Sequence, residues 1–273
     1  MSARNPSTGA CIGVFDSGIG GLTVVRALRA QLPHERIVYL GDTARVPYGT
    51  RSAEVVRRYA MGCATFLQDH GAKLIVVACN TATAHALEHL QAEVTVPVVG
   101  VIAPGAARAA AITRSGRIGV ICTEGTANSG SYARALAAVA PQAEVITVAC
   151  PLLVPLAEEG WTDHAATRLI AEAYLAPLLQ ARIDTLVLGC THYPILAPLL
   201  AAVAGADVTL VDSAMAVAET VAAALKAHGL AAAARDMPDT FFATDVTSRL
   251  QRVGSTFLQA ELPPVHWVDL VLR

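Results

Sequence analysis

Lysine is nearly missing from this 273-residue chain: Lys73 and Lys226 are its two examples, and arginine makes up the other eighteen basic residues. A pyridoxal phosphate enzyme needs a lysine for its Schiff base and a cradle for the phosphate. Lys73 stands at the mouth of a predicted strand and Lys226 late in an alanine-rich helix, and neither has the Gly/Ser/Thr-rich setting of such a cradle. Long apolar runs are absent too. Hydrophobic residues make up 54% of the chain, yet stretches such as Leu74 to Ala78 soon stop at Gly, Pro, Thr or a charge. None approaches the ~20 residues of a spanning helix. Alanine tracts such as Ala231 to Ala234 supply much of the excess. Met1 to Ala10 lack the basic and apolar regions of a signal peptide, so the expected compartment is the cytoplasm. A formal net charge of -2 leaves no positive surplus to attract nucleic acid or an anionic membrane. The expected partner is a small-molecule substrate.

The six cysteines (Cys11, Cys63, Cys79, Cys122, Cys150 and Cys190) are scattered, with no CxxC pair. Without an export signal, this pattern argues against a disulfide framework or a structural zinc site. Free thiols are the expectation, most of them small buried residues and one or two reactive.

Short apolar runs alternate with segments of helical period, which predicts an α/β fold with mainly parallel sheets flanked by helices. Strands are predicted at Cys11 to Phe15, Arg36 to Leu40, Leu74 to Ala78, Val96 to Val101, Arg117 to Ile121, Glu144 to Val148, Thr185 to Leu188 and Val208 to Val211. Helices are predicted between them, among them Ala82 to Gln91, Ser129 to Ala138 and Ile195 to Ala202. In the tail, Asp239 to Thr244 and Val265 to Leu270 read as strands around a helix.

Two segments share a plan. Leu74 to Ala78 ends in Cys79-Asn80-Thr81, and Thr185 to Gly189 ends in Cys190-Thr191-His192. Each cysteine falls just past a strand's carboxyl end and before a helix, the edge at which open α/β sheets bind ligands. The repeat predicts two similar lobes facing each other across a cleft. The first lobe is residues 1–99 and 213–273, with Cys79; the second is residues 100–212, with Cys190.

A helix amino terminus offers unpaired N–H groups and a positive dipole end, which bind anions and favour a thiolate. Two such thiols in opposition suit stereoinversion at carbon, one removing a proton and the other supplying one. The competing reading is a pair of inert, buried strand-end cysteines.

Weaker signals surround the pair. Asp16-Ser17-Gly18-Ile19-Gly20-Gly21 follows the first strand and permits close backbone approach to a ligand. It has neither GK[ST] nor GxGxxG spacing, so a nucleotide is not expected. An Asx turn with a helix cap explains it equally well. Tyr48 and the Gly49 N–H, in a polar loop after the second strand, are candidates for holding a carboxylate. Glu158 and Glu159 follow an apolar stretch, where a carboxylate is suited to shuttling protons. His192 lies two residues beyond Cys190. His85 and His89 stand at i, i+4 but lack a third ligand at metal-binding spacing.

VFDSGIGGLTVV (Val14 to Val25), GDTARVPYGTRS (Gly41 to Ser52), VVACNTATA (Val76 to Ala84), GVICTEGTANSGSY (Gly119 to Tyr132), CPLLVPLAEEG (Cys150 to Gly160) and LGCTHYPIL (Leu188 to Leu196) are spread in order over most of the chain. Together they resemble the glutamate racemase family of the aspartate/glutamate racemase superfamily. The departures are Thr83, Cys122 and Ala214, which stand where the family often has Ser, Ala and Gly.

The resemblance implies two lobes with the site between them and no cofactor. It implies Cys79 as the base toward D-glutamate and Cys190 as the base toward L-glutamate. Asp16 would support Cys79, while Glu158, in preference to Glu159, and His192 would support Cys190. Substrate contacts are expected from Asp16, Ser17, Tyr48, Gly49, Asn80, Thr81, Thr191 and His192, with Thr123 and Thr126 lining the pocket. A homodimer and a role in peptidoglycan precursor supply are further family-level expectations. Three rivals stand beside this reading: a racemase of aspartate or another small acid with the same thiols, a cysteine hydrolase using Cys190 and His192, and a non-catalytic carboxylate-binding protein that needs neither thiol.

Overall fold

The structure is a computed structural model that describes residues 9–245 and 247–270. Most of the amino-terminal lead discussed above lies outside the described residues.

Among the described residues ten strands run in chain order: β1 (Cys11–Asp16), β2 (Ile37–Gly41), β3 (Ala72–Val77), β4 (Val98–Gly100), β5 (Arg117–Cys122), β6 (Glu144–Ala149), β7 (Thr185–Gly189), β8 (Thr209–Val211), β9 (Thr240–Ala243) and β10 (Val265–Trp267). They form a six-stranded sheet of order β10-β9-β2-β1-β3-β4 and a four-stranded sheet of order β6-β5-β7-β8. Every pairing is parallel. The order β2-β1-β3-β4 in the first sheet matches β6-β5-β7-β8 in the second, so the repeat seen around the two cysteines extends to a whole four-strand unit. The tail adds β9 and β10 to the first unit alone.

Helices connect the strands: α1 (Leu22–Gln31), α2 (Ala53–Asp69), α3 (Asn80–Glu93), α4 (Ile102–Ile112), α5 (Glu124–Ser129), α6 (Ser131–Val139), α7 (Leu153–Glu158), α8 (Ala165–Gln180), α9 (Ala197–Ala204), α10 (Ser213–Ala227) and α11 (Thr247–Leu258). The helix expected over Ser129 to Ala138 is in fact two, α5 and α6. They meet at Gly130, whose φ of 65° turns the chain in a region that favours glycine. The helix expected from Ile195 begins as a tight 3-10 turn, Tyr193–Leu196, before α9. Helix α7 was not expected at all.

Central strands read as unbroken apolar runs because helices cover both faces. Phe15, Val38, Ile75 and Val77 pack against Val56, Ala60 and Leu67 of α2. The opposite face, Ile12, Val14, Leu74 and Val76, joins Leu186, Leu188 and Leu196 in one apolar cluster. Two sheets therefore share a core, and truncating a buried leucine such as Leu74 to alanine costs about 2–5 kcal/mol at sites of this kind. Helix α10 lies against both α1 and α4, at the junction of the two units.

Candidate active site

Strand order reverses at β1 in one sheet and at β5 in the other, and the crevice at such a point is where parallel sheets hold ligands. Cys79 follows β3, the neighbour of β1, and Cys190 follows β7, the neighbour of β5. Cys79 occupies the N-cap position of α3, where its sulfur accepts the Ala82 N–H at 3.4 Å. Cys190 stands at the mouth of the 3-10 turn, its carbonyl accepting the Tyr193 N–H at 3.1 Å.

Both sulfurs reach one cavity of about 350 Å³. The first unit lines it with Ser17, Gly18, residues 46–50, Cys79, Asn80 and Thr81. The second contributes Thr123, Glu124, Pro151, Val154, Pro155, Glu158, Cys190, Thr191 and His192. The volume suits a small metabolite. No lysine or arginine lines it among the described residues.

The surroundings of the two thiols differ. The Cys79 S–H donates to Ser17 Oγ at 3.5 Å. Burial, and after it the charge of Asp16, pushes this thiol up to about 12, so it is protonated at neutral pH. Cys190 Sγ lies 3.8 Å from His192 Nδ1, and His192 Nε2 lies 3.1 Å from Glu158 Oε1. Burial alone would lower the imidazole. Its hydrogen bonds to Cys190 and Glu158, with the charges of Cys190 and Asp16, outweigh burial and carry it up to about 10.

Asp16 does not line the cavity. It is fully buried at the end of β1, where it accepts the Gly18 N–H at 3.0 Å and the Thr191 hydroxyl at 3.4 Å. Burial raises its carboxyl, against the charge of His192 and hydrogen bonds from Gly18, Gly21 and Thr191. Asp16 thus sits behind the lining, accepting a hydrogen bond from the turn that follows Cys190. Thr126 also stands behind the wall, 3.0 Å from Thr123 Oγ1 and 3.3 Å from Thr81 Oγ1. Thr123 Oγ1 and Thr81 Oγ1 are 2.8 Å apart, which closes a triangle of hydroxyls between the units.

The Tyr48 hydroxyl is engaged within its own unit. It donates to Asp42 Oδ2, while the side chain still forms part of the lining. Asp42 is a buried hub that also accepts Arg45 Nη1 at 2.7 Å and the Thr244 hydroxyl at 2.9 Å. Gly49 sits so near Thr123 that an added Cβ would come within 3.0 Å of it. Asn80 Oδ1 accepts the Tyr132 hydroxyl at 2.8 Å, and its Nδ2 is buried with no partner. Such a donor beside a cavity is suited to an incoming acceptor. His85 Nε2 faces the Gly125 carbonyl at 3.0 Å, a contact between units.

Sequence reasoning missed Val46, Pro47, Thr50, Glu124 and the apolar patch Pro151, Val154 and Pro155 as lining. The apolar patch lay inside a recognised motif, but no residue in it carries chemistry of its own.

The site is thus a small cavity with a thiol at each of two matched strand ends, one from each sheet. Residues 22–221 match the family described as Asp/Glu/Hydantoin racemase. A glutamate racemase of Geobacter metallireducens is 53% identical over 260 residues, 95% of this chain and 96% of that protein. The structure of a glutamate racemase from Bacillus anthracis superposes with a TM-score of 0.93 at 39% identity, covering 97% of this chain and 100% of that one. The Francisella tularensis glutamate racemase, solved in complex with D-glutamate, gives 0.89 at 37% identity, with 96% and 98% covered. The chain belongs to the Asp/Glu/hydantoin racemase family and, within it, to the glutamate racemases. No helix among the described residues is long and apolar enough to cross a membrane.

Proposed function

We propose that the chain interconverts L- and D-glutamate by two-base proton transfer at the α-carbon, with Cys79 and Cys190 as the two bases and no cofactor taking part. The observation that carries this reading is the pair of thiols lining one cavity from two sheets of matching order. A relative that shares about half the sequence is named a glutamate racemase, and another was solved with D-glutamate bound.

The α-proton of an amino acid is weakly acidic and a thiolate is a mild base. The gap narrows when preorganised donors hold the carboxylate into which carbanion charge spreads. Asn80 Nδ2 and the hydroxyls of Ser17 and Thr81 are the donors on hand, and Gly49 supplies a backbone N–H. Water excluded from between the lobes strengthens these bonds.

From L-glutamate, Cys190 takes the proton on one face, and Cys79, which starts as the thiol, returns one on the other. From D-glutamate the roles exchange. Cys79 must then begin as thiolate, a form that the substrate's ammonium favours in a cavity with no other nearby cation than His192. Ser17 and Asp16 serve the Cys79 side. His192, held by Glu158, relays protons to and from Cys190.

We assign the lobes to residues 1–99 with 213–273 and to residues 100–212, and the working form to a cytoplasmic homodimer that supplies D-glutamate for peptidoglycan precursors. A second reading has one observation in its favour: Cys190, His192 and Glu158 stand in the succession of nucleophile, base and orienting acid. A hydrolase of that kind has no use for Cys79.

Circular dichroism of L-glutamate with enzyme dialysed against a chelator tests the proposal. Decay to zero, with the same endpoint from D-glutamate, is expected. A flat trace from folded, reduced enzyme defeats it and turns attention to aspartate.

A further inference from the structure

Helix α11 lies in the tail that completes the first sheet, yet one of its side chains reaches the proton relay of the second. Phe257, 1% exposed, stands edge-on to the His192 imidazole, with ring centroids 5.4 Å apart and planes at 77°. The two ring nitrogens of His192 are already engaged, with Cys190 at 3.8 Å and Glu158 at 3.1 Å. Two contacts made in the plane of a ring leave it free to rock about the line that joins them. Rocking is limited by the atoms packed around the ring. Gly20 is so close that a Cβ there would come within 2.6 Å of Nδ1, and Phe257 supplies an aromatic edge. Phe257 itself belongs to the buried apolar cluster that includes Leu22, Leu250 and Leu262. It is not among the residues that line the cavity.

We infer that Phe257 is a positioning residue for the Cys190 half of the reaction, keeping the His192 ring aimed at the Cys190 sulfur. The inference rests on the racemase reading above. Aromatic pairs of this geometry are worth enough to change a rate roughly two- to tenfold. The contacts of the Cys79 sulfur among the described residues are with Ser17 and Ala82, so the effect of losing the ring is confined to one of the two proton transfers.

Equilibrium between enantiomers lies at one, so kcat/KM must fall alike in both directions, and that ratio cannot reveal a one-sided defect. Isotope effects with α-deuterated substrates can. In Phe257→Leu, transfer at Cys190 becomes more limiting. From L-glutamate the C–D bond is broken by Cys190, so the isotope effect on kcat rises above wild type. From D-glutamate the bond is broken by Cys79 before the slow step, so the isotope effect falls. Phe257→Tyr, which keeps the ring, retains the wild-type pattern, and Phe257→Met replaces the leucine variant if that one does not fold. Isotope effects that move together, or not at all, in a folded ringless variant overturn the inference. Wild-type enzyme that racemises neither enantiomer would overturn the functional reading beneath it, a result distinct from the first.

Discussion

The turn after Cys79 and the turn after Cys190 occupy equivalent places in two sheets of the same strand order, but they are equipped differently. Cys79 caps a fourteen-residue helix and has a serine hydroxyl against its sulfur, with a buried carboxylate behind. Cys190 precedes a short 3-10 turn and has an imidazole backed by glutamate. A symmetric reaction does not require a symmetric site. On the two-base proposal each thiol has only to hold and release one proton, and the two turns offer different means for it. One relies on a helix end and neutral donors, the other on a relay that carries its own positive charge.

Replacing the sulfur tests the comparison most severely. Cys79→Ser and Cys190→Ser should each lower racemisation at least roughly 10²- to 10⁴-fold, the range of a lost acid/base group, as followed by circular dichroism. If Cys79→Ser stays near wild type while Cys190→Ser is inactive, the two turns are not equivalent and the hydrolase reading gains.

Glu158→Gln should separate the halves next. His192 is raised in the folded protein from its ordinary 6.5 to about 10. Stabilisation from its protonation is therefore complete below pH 6.5 and is lost as pH climbs toward 10. The variant should be about 2 kcal/mol less stable than wild type in urea titrations at pH 6. That deficit should shrink as pH rises; a deficit independent of pH would mean that Glu158 acts on something other than the imidazole.

The smallest effect belongs to the quieter half. Ser17→Ala removes the hydroxyl that meets the Cys79 sulfur. A loss of about 1 kcal/mol in transition-state stabilisation, roughly fivefold in kcat, is expected. A drop as large as that of the cysteine variants would make Ser17 part of the proton path itself.

What could be read from the chain alone was local. β1, β3 and β7 are buried on both faces, so their apolar runs stand out, and the residues just past their ends follow directly. Cys79, Asn80 and Thr81 are neighbours at a strand end, which is why their shared placement was legible. Helix α7 is only six residues long and carries Pro155 within it, so the chain alone shows little helical period there. Pro155 falls in the first turn, where its missing N–H would have had no partner in any case. Contacts made by docking one unit on the other leave no mark in linear spacing. Asp16 meets Thr191 across 175 positions, and Asn80 meets Tyr132 across 52. The turning of the Tyr48 hydroxyl toward Asp42 was equally invisible, although the two lie six residues apart, because nothing in a polar loop says which way a ring faces.

The unequal make-up of the two sheets has a consequence for how the molecule is born. The four-stranded sheet comes from one uninterrupted stretch, residues 117–211, whereas the six-stranded sheet takes strands from residues 11–100 and again from 240–267. Emerging from a ribosome, the second unit has all its strands while the older, amino-terminal one still waits for its last two. The Cys190 segment is therefore synthesised before α11, which packs beside His192. Synthesis order itself delays the closing of a site whose two sulfurs, once closed in, are nearly out of reach of solvent.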